Sequence, residues 1–290
     1  MVETSSSVLK KPFFKSKEKF FLELLSKYSN AEVKDDEGNN LAHLGIYYGF
    51  TDKILELHHL LDLKNKKGIT PRDLLRWLGK EASIASSLSL FRTSEEIFDT
   101  PTQEELENHF KFHPTSHLKF ESSKDLVWTL NQTAKILQKE SIKRKNLWID
   151  SLYGNYFLSQ RFAKTYVKWV SSLIGYGLFA KEDIPQYSLI GEYTGIVRKR
   201  AKRKDEKNDY IFGYVIANKE TPYVIDASKE GNHTRFINHS DDPNLHSSWL
   251  IHKGLCHIIL VTNSYIPKNT QITLDYGPYY WRKRGVPIDL

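Results

Sequence analysis

The apolar residues keep two different rhythms along the chain, and the change of rhythm divides it. Over residues 18–28, Phe20, Phe21, Leu24, Leu25 and Tyr28 recur at helical spacing, which predicts an amphipathic helix whose apolar face needs a neighbour. Further helices are predicted from about Thr100-Pro101, with Leu106 and Phe110 facing inward, and after Ser122-Ser123, with Leu126, Leu130, Ala134 and Leu137 on one face. This helical texture blurs at Lys143-Arg144-Lys145 and Gly154. From about Thr165 short β-rich runs take over, at 166–170, 187–190, 210–216, 223–226, 257–262 and 271–274, separated by Gly, Pro, Asn and Asp turns. The expected fold class is α+β in two parts, with helical repeats over 1–95, a helical connector over 96–160 and a mostly β domain over 161–290.

Within the first part, Gly38-Asn39-Asn40-Leu41-Ala42-His43-Leu44-Gly45 and Gly68-Ile69-Thr70-Pro71-Arg72-Asp73-Leu74-Leu75 share a theme, their leading glycines 30 residues apart. Thr70 can cap the open amides of a helix, and Pro71 fits a first turn, where its missing N–H has no partner to lose. The pattern resembles the ankyrin repeat, whose turn and first helix run G-x-T-P-L-H-x-A. The second copy keeps Thr-Pro and the first keeps the His. With the 18–28 helix, two copies make a minimal array. A plain helical bundle is the alternative, and the ankyrin reading implies a protein partner for this part.

Composition sets limits. A single cysteine, Cys256, excludes an internal disulfide and a four-cysteine zinc site. No apolar run reaches 18 residues and residues 1–17 hold no apolar core of a signal peptide, so neither a membrane span nor secretion is expected. The net charge of +7 favours acidic partners such as a nucleoprotein, and much of it sits in Arg198-Lys199-Arg200-Ala201-Lys202-Arg203-Lys204. A solvated surface face is the competing reading of that run.

The candidate chemistry lies in the β-rich part. Gly175-Tyr176-Gly177-Leu178-Phe179-Ala180 matches the dinucleotide-binding pattern in form, but Pro185 and Gly191 leave no room for the long helix that pattern must open. Two glycines between short strands instead describe a tight loop where backbone can approach a ligand. His239-Ser240-Asp241 does not make a hydrolase triad, because adjacent residues cannot meet in that geometry and no G-x-S-x-G elbow is present.

Taken in order, Gly175-Tyr176-Gly177, Gly191-Glu192-Tyr193-Thr194-Gly195, Tyr210-Ile211-Phe212, Ile225-Asp226-Ala227, Gly231-Asn232, Arg235-Phe236-Ile237-Asn238-His239-Ser240, Pro243-Asn244 and Asp275-Tyr276-Gly277, followed by Tyr279, Tyr280 and Trp281, resemble the SET family. The resemblance implies a protein lysine methyltransferase using S-adenosylmethionine, with 238–239 threaded beneath 275–277 in a pseudoknot. It implies that Gly175, Tyr176, Gly177, Asn238, His239 and Trp281 bind the donor, that Tyr276 and Tyr210 are catalytic, and that Leu274 and Tyr214 line the substrate channel. Arg235 and Asp275 are read as buried polar pairing. Methyl transfer of this kind needs no metal. The implied substrate is a lysine-bearing protein such as a histone or a nucleosome, and a catalytically silent SET and ankyrin interaction module is the alternative.

The sequence also departs from the family pattern. Asp241 stands where many members carry Cys, no cysteine cluster flanks the domain, and Leu274 replaces the usual Phe or Tyr. Closure of the donor pocket therefore falls to Tyr279, Tyr280 and Trp281. Localisation stays open between cytoplasm and nucleus; joining ankyrin-like repeats to a zinc-free SET domain is similar to the architecture of a bacterial effector delivered to a host nucleus.

Overall fold

The computed structural model describes residues 17–28, 33–81, 91–92, 97–98 and 103–281. The expected helix start at Thr100-Pro101, the side chains of Phe20, Leu106 and Tyr279, and the 95/96 boundary lie outside the described residues. Two compact units form, neither of them one linear segment: the first takes 1–83, 119–134 and 253–255, the second 84–118, 135–252 and 256–290. No helix among the described residues is long and apolar enough to cross a membrane.

The first unit contains helices α1 (Lys17–Tyr28), α2 (Leu41–Tyr48), α3 (Thr51–Ile54) and α4 (Pro71–Trp77). A single turn geometry occurs twice in it. Asp35 Oδ1 accepts from the amides of Glu37 (2.9 Å) and Asn39 (2.8 Å), and Asn65 Oδ1 accepts from those of Lys67 (2.9 Å) and Ile69 (3.0 Å). Gly38 and Gly68 then take φ of 78° and 73°, a conformation that disfavours a side chain. Each turn runs into a capping box, Asn40 with His43 and Thr70 with Asp73, which satisfies amides at the start of α2 and α4. The turns dock side by side, Lys66 N donating to Glu37 O (2.9 Å) and Asn65 Nδ2 to Asn39 Oδ1 (2.8 Å). His43 is fully buried; its Nδ1 accepts from Asn40 N (3.2 Å), so its proton sits on Nε2 and is given to Ile69 O (2.9 Å). The 30-residue theme is thus a structural repeat with one hydrogen-bond plan.

In the second unit the elements are β1 (Phe91–Arg92), β2 (Ile97–Phe98), α5 (Gln103–Phe110) and β3 (His113–Pro114). β4 (Lys119–Phe120) and most of α6 (Ser123–Leu137) belong to the first unit, and the second continues with α7 (Glu140–Leu158), β5 (Thr165–Ser171), β6 (Gly175–Ala180), β7 (Leu189–Glu192) and β8 (Ile196–Lys199). They are followed by α8 (Lys202–Asp205), β9 (Ile211–Ile216), β10 (Lys219–Asp226), β11 (Glu230–Gly231) and β12 (Asn238–His239). The last are β13 (Leu245–His252), β14 (Leu255–Thr262), β15 (Gln271–Leu274) and α9 (Pro278–Trp281).

Residues 175–180, expected as a loop, form strand β6 in register with β5. The sheet order β12-β15-β6-β5-β1-β2 sets β12 parallel to β15, with Asn238 opposite Thr273 and His239 opposite Leu274. Asn244 fastens this pair: its Oδ1 accepts from Thr273 N (2.9 Å) and its Nδ2 donates to Gln271 O (2.8 Å). β8, β10 and β9 form an antiparallel sheet, and β13, β14 and β7 another. β14 is buried along its whole length, and burial pushes the Cys256 thiol up to about 12, leaving it an inert core residue.

Arg198 does not belong to an exposed basic face. It is buried, with Nη2 2.6 Å from Asp205 Oδ1 and 2.8 Å from Asp226 Oδ2. Asp226 also accepts from Asn208 Nδ2 (3.0 Å), and Asn208 Oδ1 accepts from Tyr210 N (3.0 Å). A buried ion pair in this way fixes the loop that carries Tyr210.

Candidate functional site

A cavity of about 380 Å3 lies in the second unit, within the roughly 300–1,000 Å3 usual for small-molecule sites. Its walls come from segments far apart in sequence. Gly175 and Tyr176 of β6 form one wall, Asn238 and His239 of β12 a second, and Tyr276 with Tyr280 and Trp281 of α9 a third. Asp209 and Tyr210 enter from the loop before β9, and Arg235 and Phe236 from the single turn of 3-10 helix His233–Phe236. That turn is capped by Asn232, whose Oδ1 accepts from Thr234 N (3.0 Å) and whose Nδ2 donates to Glu192 O (2.9 Å). The Gly231-Asn232 and Glu192 motif residues therefore act by aiming the cavity-lining turn.

The glycine pair has a steric reason. A Cβ on Gly177 would lie 3.1 Å from Asn238 Nδ2 and 2.8 Å from Gln271 Nε2, so a side chain here would push both amides aside, and glycine leaves room for Asn238 to donate to Tyr176 O at 3.1 Å. Gly177 itself shapes the wall without lining it among the described residues. Gly175 sits at φ 78° in the turn that opens the strand.

His239 is buried and its two nitrogens are distinguished by their partners. Nδ1 accepts from Tyr276 N (3.2 Å), which leaves the proton on Nε2, 3.1 Å from Asp241 Oδ1. Asp241, the departure from the family pattern, thus fixes the imidazole tautomer. The Trp281 ring lies 4.8 Å from His239, and Tyr280 donates to Asp209 Oδ1 (3.1 Å), so the chain end closes over the site from α9.

Tyr276 donates its hydroxyl proton to Ile237 O at 2.5 Å. Burial, then the neighbouring Tyr193 and Tyr280, hold its pKa well above the ordinary phenol value. With the proton committed to a carbonyl, the oxygen presents lone pairs to the cavity, as an acceptor and not as a base.

The two residues expected in the substrate channel, Tyr214 and Leu274, do not line this cavity. Tyr214 is buried in β9 and donates to Cys256 O (2.8 Å), outside the described cavity lining. Leu274 is buried in β15 opposite His239, two residues before Tyr276, and is not among the residues lining this cavity. Arg235 forms no ion pair among the described residues; its guanidinium lies over the rings of Phe112 (4.1 Å) and Tyr210 (3.9 Å). Asp275 is largely exposed and accepts from Gly277 N (2.7 Å).

Sequence reading missed one wall. Phe110 of α5 lines the cavity and meets Tyr176 (4.8 Å) and Phe236 (5.1 Å) edge to face. The segment is stitched down by His113 N to Lys229 O (2.7 Å), Thr115 N to Gly231 O (2.8 Å) and the pairing of β3 with β11. Phe110 was visible only as an apolar helix position, which does not say what it faces.

Residues 175–277 match the family model of the SET domain. The chain is 34% identical over 126 residues to histone-lysine N-methyltransferase set-2 of Caenorhabditis elegans, covering 40% of this chain and 8% of that protein. It is 36% identical over 135 residues to the H3 lysine-36 specific histone-lysine N-methyltransferase of Debaryomyces hansenii, covering 43% of this chain and 18% of that protein. The chain therefore spans less than a fifth of the length of either relative. Among solved structures it is similar to SUVH6 of Arabidopsis thaliana in complex with SAM, at 25% identity over 41% of this chain and 30% of that one, with a TM-score of 0.36. The matched stretch takes in most of the cavity lining, while Phe110, Leu173, Ile174, Tyr280 and Trp281 come from outside it.

Proposed function

We propose that this protein is an S-adenosylmethionine-dependent protein lysine N-methyltransferase. The observation that carries the reading is the fixed Tyr276 hydroxyl, whose proton is held by Ile237 O within a cavity also lined by Asn238 and His239. Cavity size, the His239 and Trp281 rings and the uncompensated Arg235 suit a donor with an aromatic base at one end and an amino acid at the other. When bound, the donor supplies a methyl group on a sulfonium, to be attacked in line by a neutral lysine amine.

In that reading Asn238, His239, Tyr176, Trp281 and the Gly175 to Gly177 strand bind the donor. Tyr276 accepts an N–H from the incoming amine and so turns the nitrogen lone pair toward the methyl group. Since the Tyr276 proton is already committed and its pKa raised, the lysine proton leaves to solvent. The ring faces of Tyr276 and Tyr210 stabilise positive charge at the reacting centre.

We assign a histone or another basic-tailed protein as the substrate, following the kinds of protein the SET domain is similar to. We read the repeated turns of the first unit as ankyrin-like and as a partner-binding array, supported by the duplicated hydrogen-bond plan. The functional division is 1–95, 96–160 and 161–290, and the site of action is the cytoplasm or a nucleus, including that of a host cell. Incubation with labelled S-adenosylmethionine and a mixture of histones and other proteins tests the activity. Label on lysine is the expected result; a chain that binds S-adenosylhomocysteine yet transfers no label is a silent interaction module.

A further inference from the structure

Helix α7 carries apolar residues on two faces, and only one of them serves the core. On the inner face Ile149 and Phe157 are buried, and Asn146 holds Ile251 from both sides, its Nδ2 donating to the carbonyl (3.1 Å) and its Oδ1 accepting from the amide (2.7 Å). On the outer face Trp148, Leu152 and Tyr156 follow one another at four-residue spacing with 60%, 44% and 54% of their surface exposed. Leu147 and Leu158, also exposed, widen this row toward its ends. A helix anchored by one face needs no second apolar face in order to fold, and exposed tryptophan and tyrosine are the usual anchors of a protein interface.

The charges at the two ends of the row have the same sign. Lys145, three residues before Trp148, is exposed and lies over the Trp249 ring at 5.7 Å. Arg161, just past the helix end, is exposed and donates from Nε to Ser159 Oγ (3.1 Å), three residues beyond Tyr156. Neither forms an ion pair among the described residues, whereas Arg144 is met by Glu140 at 3.3 Å. From residue 145 to residue 159 the helical rise makes the row about 20 Å long. Its complement is a segment of that length with an apolar middle and an acid at each end. We propose that the outer face of α7 docks an acidic amphipathic helix of a partner protein. The apolar residues of that helix lie along Trp148, Leu152 and Tyr156, and its carboxylates reach Lys145 and Arg161. A second copy of the chain fits worse: two α7 helices paired antiparallel about Leu152 set the Lys145 end of one against the Arg161 end of the other, and parallel pairing sets Lys145 on Lys145. An anionic bilayer matches the cations, but the row is narrow and convex, and Ser151, Asn155 and Ser159 beside it are exposed and polar.

The probe is a fluorescent alanine-based peptide of about sixteen residues, long enough as a helix to span the row, with leucines at i, i+3, i+4 and i+7 and glutamates at both ends. A control peptide carries lysines in place of the glutamates. Anisotropy titrations with the full chain are expected to show the acid-ended peptide bound about tenfold or more tighter than the control, and Trp148→Ser or Leu152→Ser to weaken it by about tenfold. The double variant Lys145→Glu, Arg161→Glu should reverse the preference and take the lysine-ended peptide. All the substituted side chains are exposed and no residue of α7 lines the cavity, so thermal unfolding and methylation of a short peptide substrate should stay unchanged in every variant. Equal affinity for the two peptides, no binding of the acid-ended one at millimolar concentration, or binding indifferent to Trp148→Ser and Leu152→Ser overturns the proposal. Sedimentation with phosphatidylserine vesicles that Trp148→Ser abolishes assigns the face to a bilayer, and self-association in ultracentrifugation that Leu152→Ser abolishes assigns it to a second copy; either result overturns it as well.

Discussion

His109 Nε2 lies 2.6 Å from the Tyr176 hydroxyl, so a residue outside the matched domain holds the side chain between the two motif glycines. The same helix places Phe110 against that tyrosine and against Phe236. Phe110→Ala is expected to weaken S-adenosylhomocysteine binding by about three- to tenfold, in line with the worth of buried aromatic pairs, while turnover at saturating donor changes less. Calorimetry and steady-state rates on one preparation check the split, and a loss confined to turnover argues against Phe110 as a wall of the donor site.

Tyr276→Phe removes the bond to Ile237 O as well as the acceptor offered to the amine. It should cost about 1 kcal/mol in stability for the lost hydrogen bond, and lower the methyl-transfer rate by about a hundredfold or more, with donor affinity preserved. Thermal unfolding, donor titration and single-turnover rates separate the three effects. An unchanged rate removes Tyr276 from the reacting centre.

Much of this site was legible because its residues act through local steric and backbone demands that leave a mark in sequence. Gly177 is glycine so that Asn238 can approach, and the Asn232 cap writes Gly-Asn before the Arg235 turn. What was not legible depends on partners far away in the chain. Helix α7 runs through Lys143-Arg144-Lys145 and Gly154, where the sequence loses helical texture, because Ile149 and Phe157 are buried and Asn146 clamps both backbone groups of Ile251, 105 residues later. β13 opens on buried Leu245, but exposed His246 and Ser247 then separate it from the apolar run Trp249, Leu250 and Ile251, so no continuous strand pattern shows in the sequence. The stacking of Phe112 on Arg235 joins residues that no spacing rule connects.

The basic stretch divides into two roles once Arg198 is seen paired with Asp205 and Asp226. Neutralising the exposed Lys199, Arg200, Arg203 and Lys204 is expected to lower activity on nucleosomes more than on a short peptide, with the difference fading as salt rises. Arg198→Gln should instead destabilise the fold by about 3–5 kcal/mol, because it strands buried Asp205 and takes the cation from half-buried Asp226. Parallel losses on both substrates from the four-fold change indicate a merely solvated face, and an effect seen only in cells indicates a nuclear-import signal.

His43 predicts a pH dependence in the first unit. Burial lowers its pKa despite the bond to Ile69 O, so the fold holds the neutral ring while the unfolded chain takes up a proton near pH 6.5. The unfolded state then binds more protons, and stability rises with pH; the contribution is present above about 6.5 and is lost as pH falls through the lowered folded-state value. His233, half-buried and also lowered by desolvation, has the same sign. Unfolding midpoints measured between pH 7.5 and pH 5 should fall with acidification, and His43→Gln should be less stable at pH 7.5 with a flatter slope. An unchanged slope assigns the pH response to other groups.

Leu274 bears on how many methyl groups one lysine receives. It is buried in β15, opposite His239 and two residues before Tyr276. A tyrosine at this point would bring a hydroxyl able to hold the amine or an ordered water and so restrict rotation of a methylated nitrogen; leucine has neither donor nor acceptor. The hydroxyls that could substitute are committed elsewhere: Tyr214 donates to Cys256 O, Tyr193 to Tyr210 O and Tyr280 to Asp209. Tyr210 keeps its ring on Arg235. A partly methylated amine is therefore free to turn its lone pair toward a fresh donor, and the expected product is di- or trimethyllysine. Mass spectrometry of a substrate driven to completion with excess donor reads this directly. Leu274→Tyr should shift the product toward monomethyllysine with at most a few-fold loss in the first transfer, and a wild type that stops at one methyl group rules out the apolar wall as the determinant.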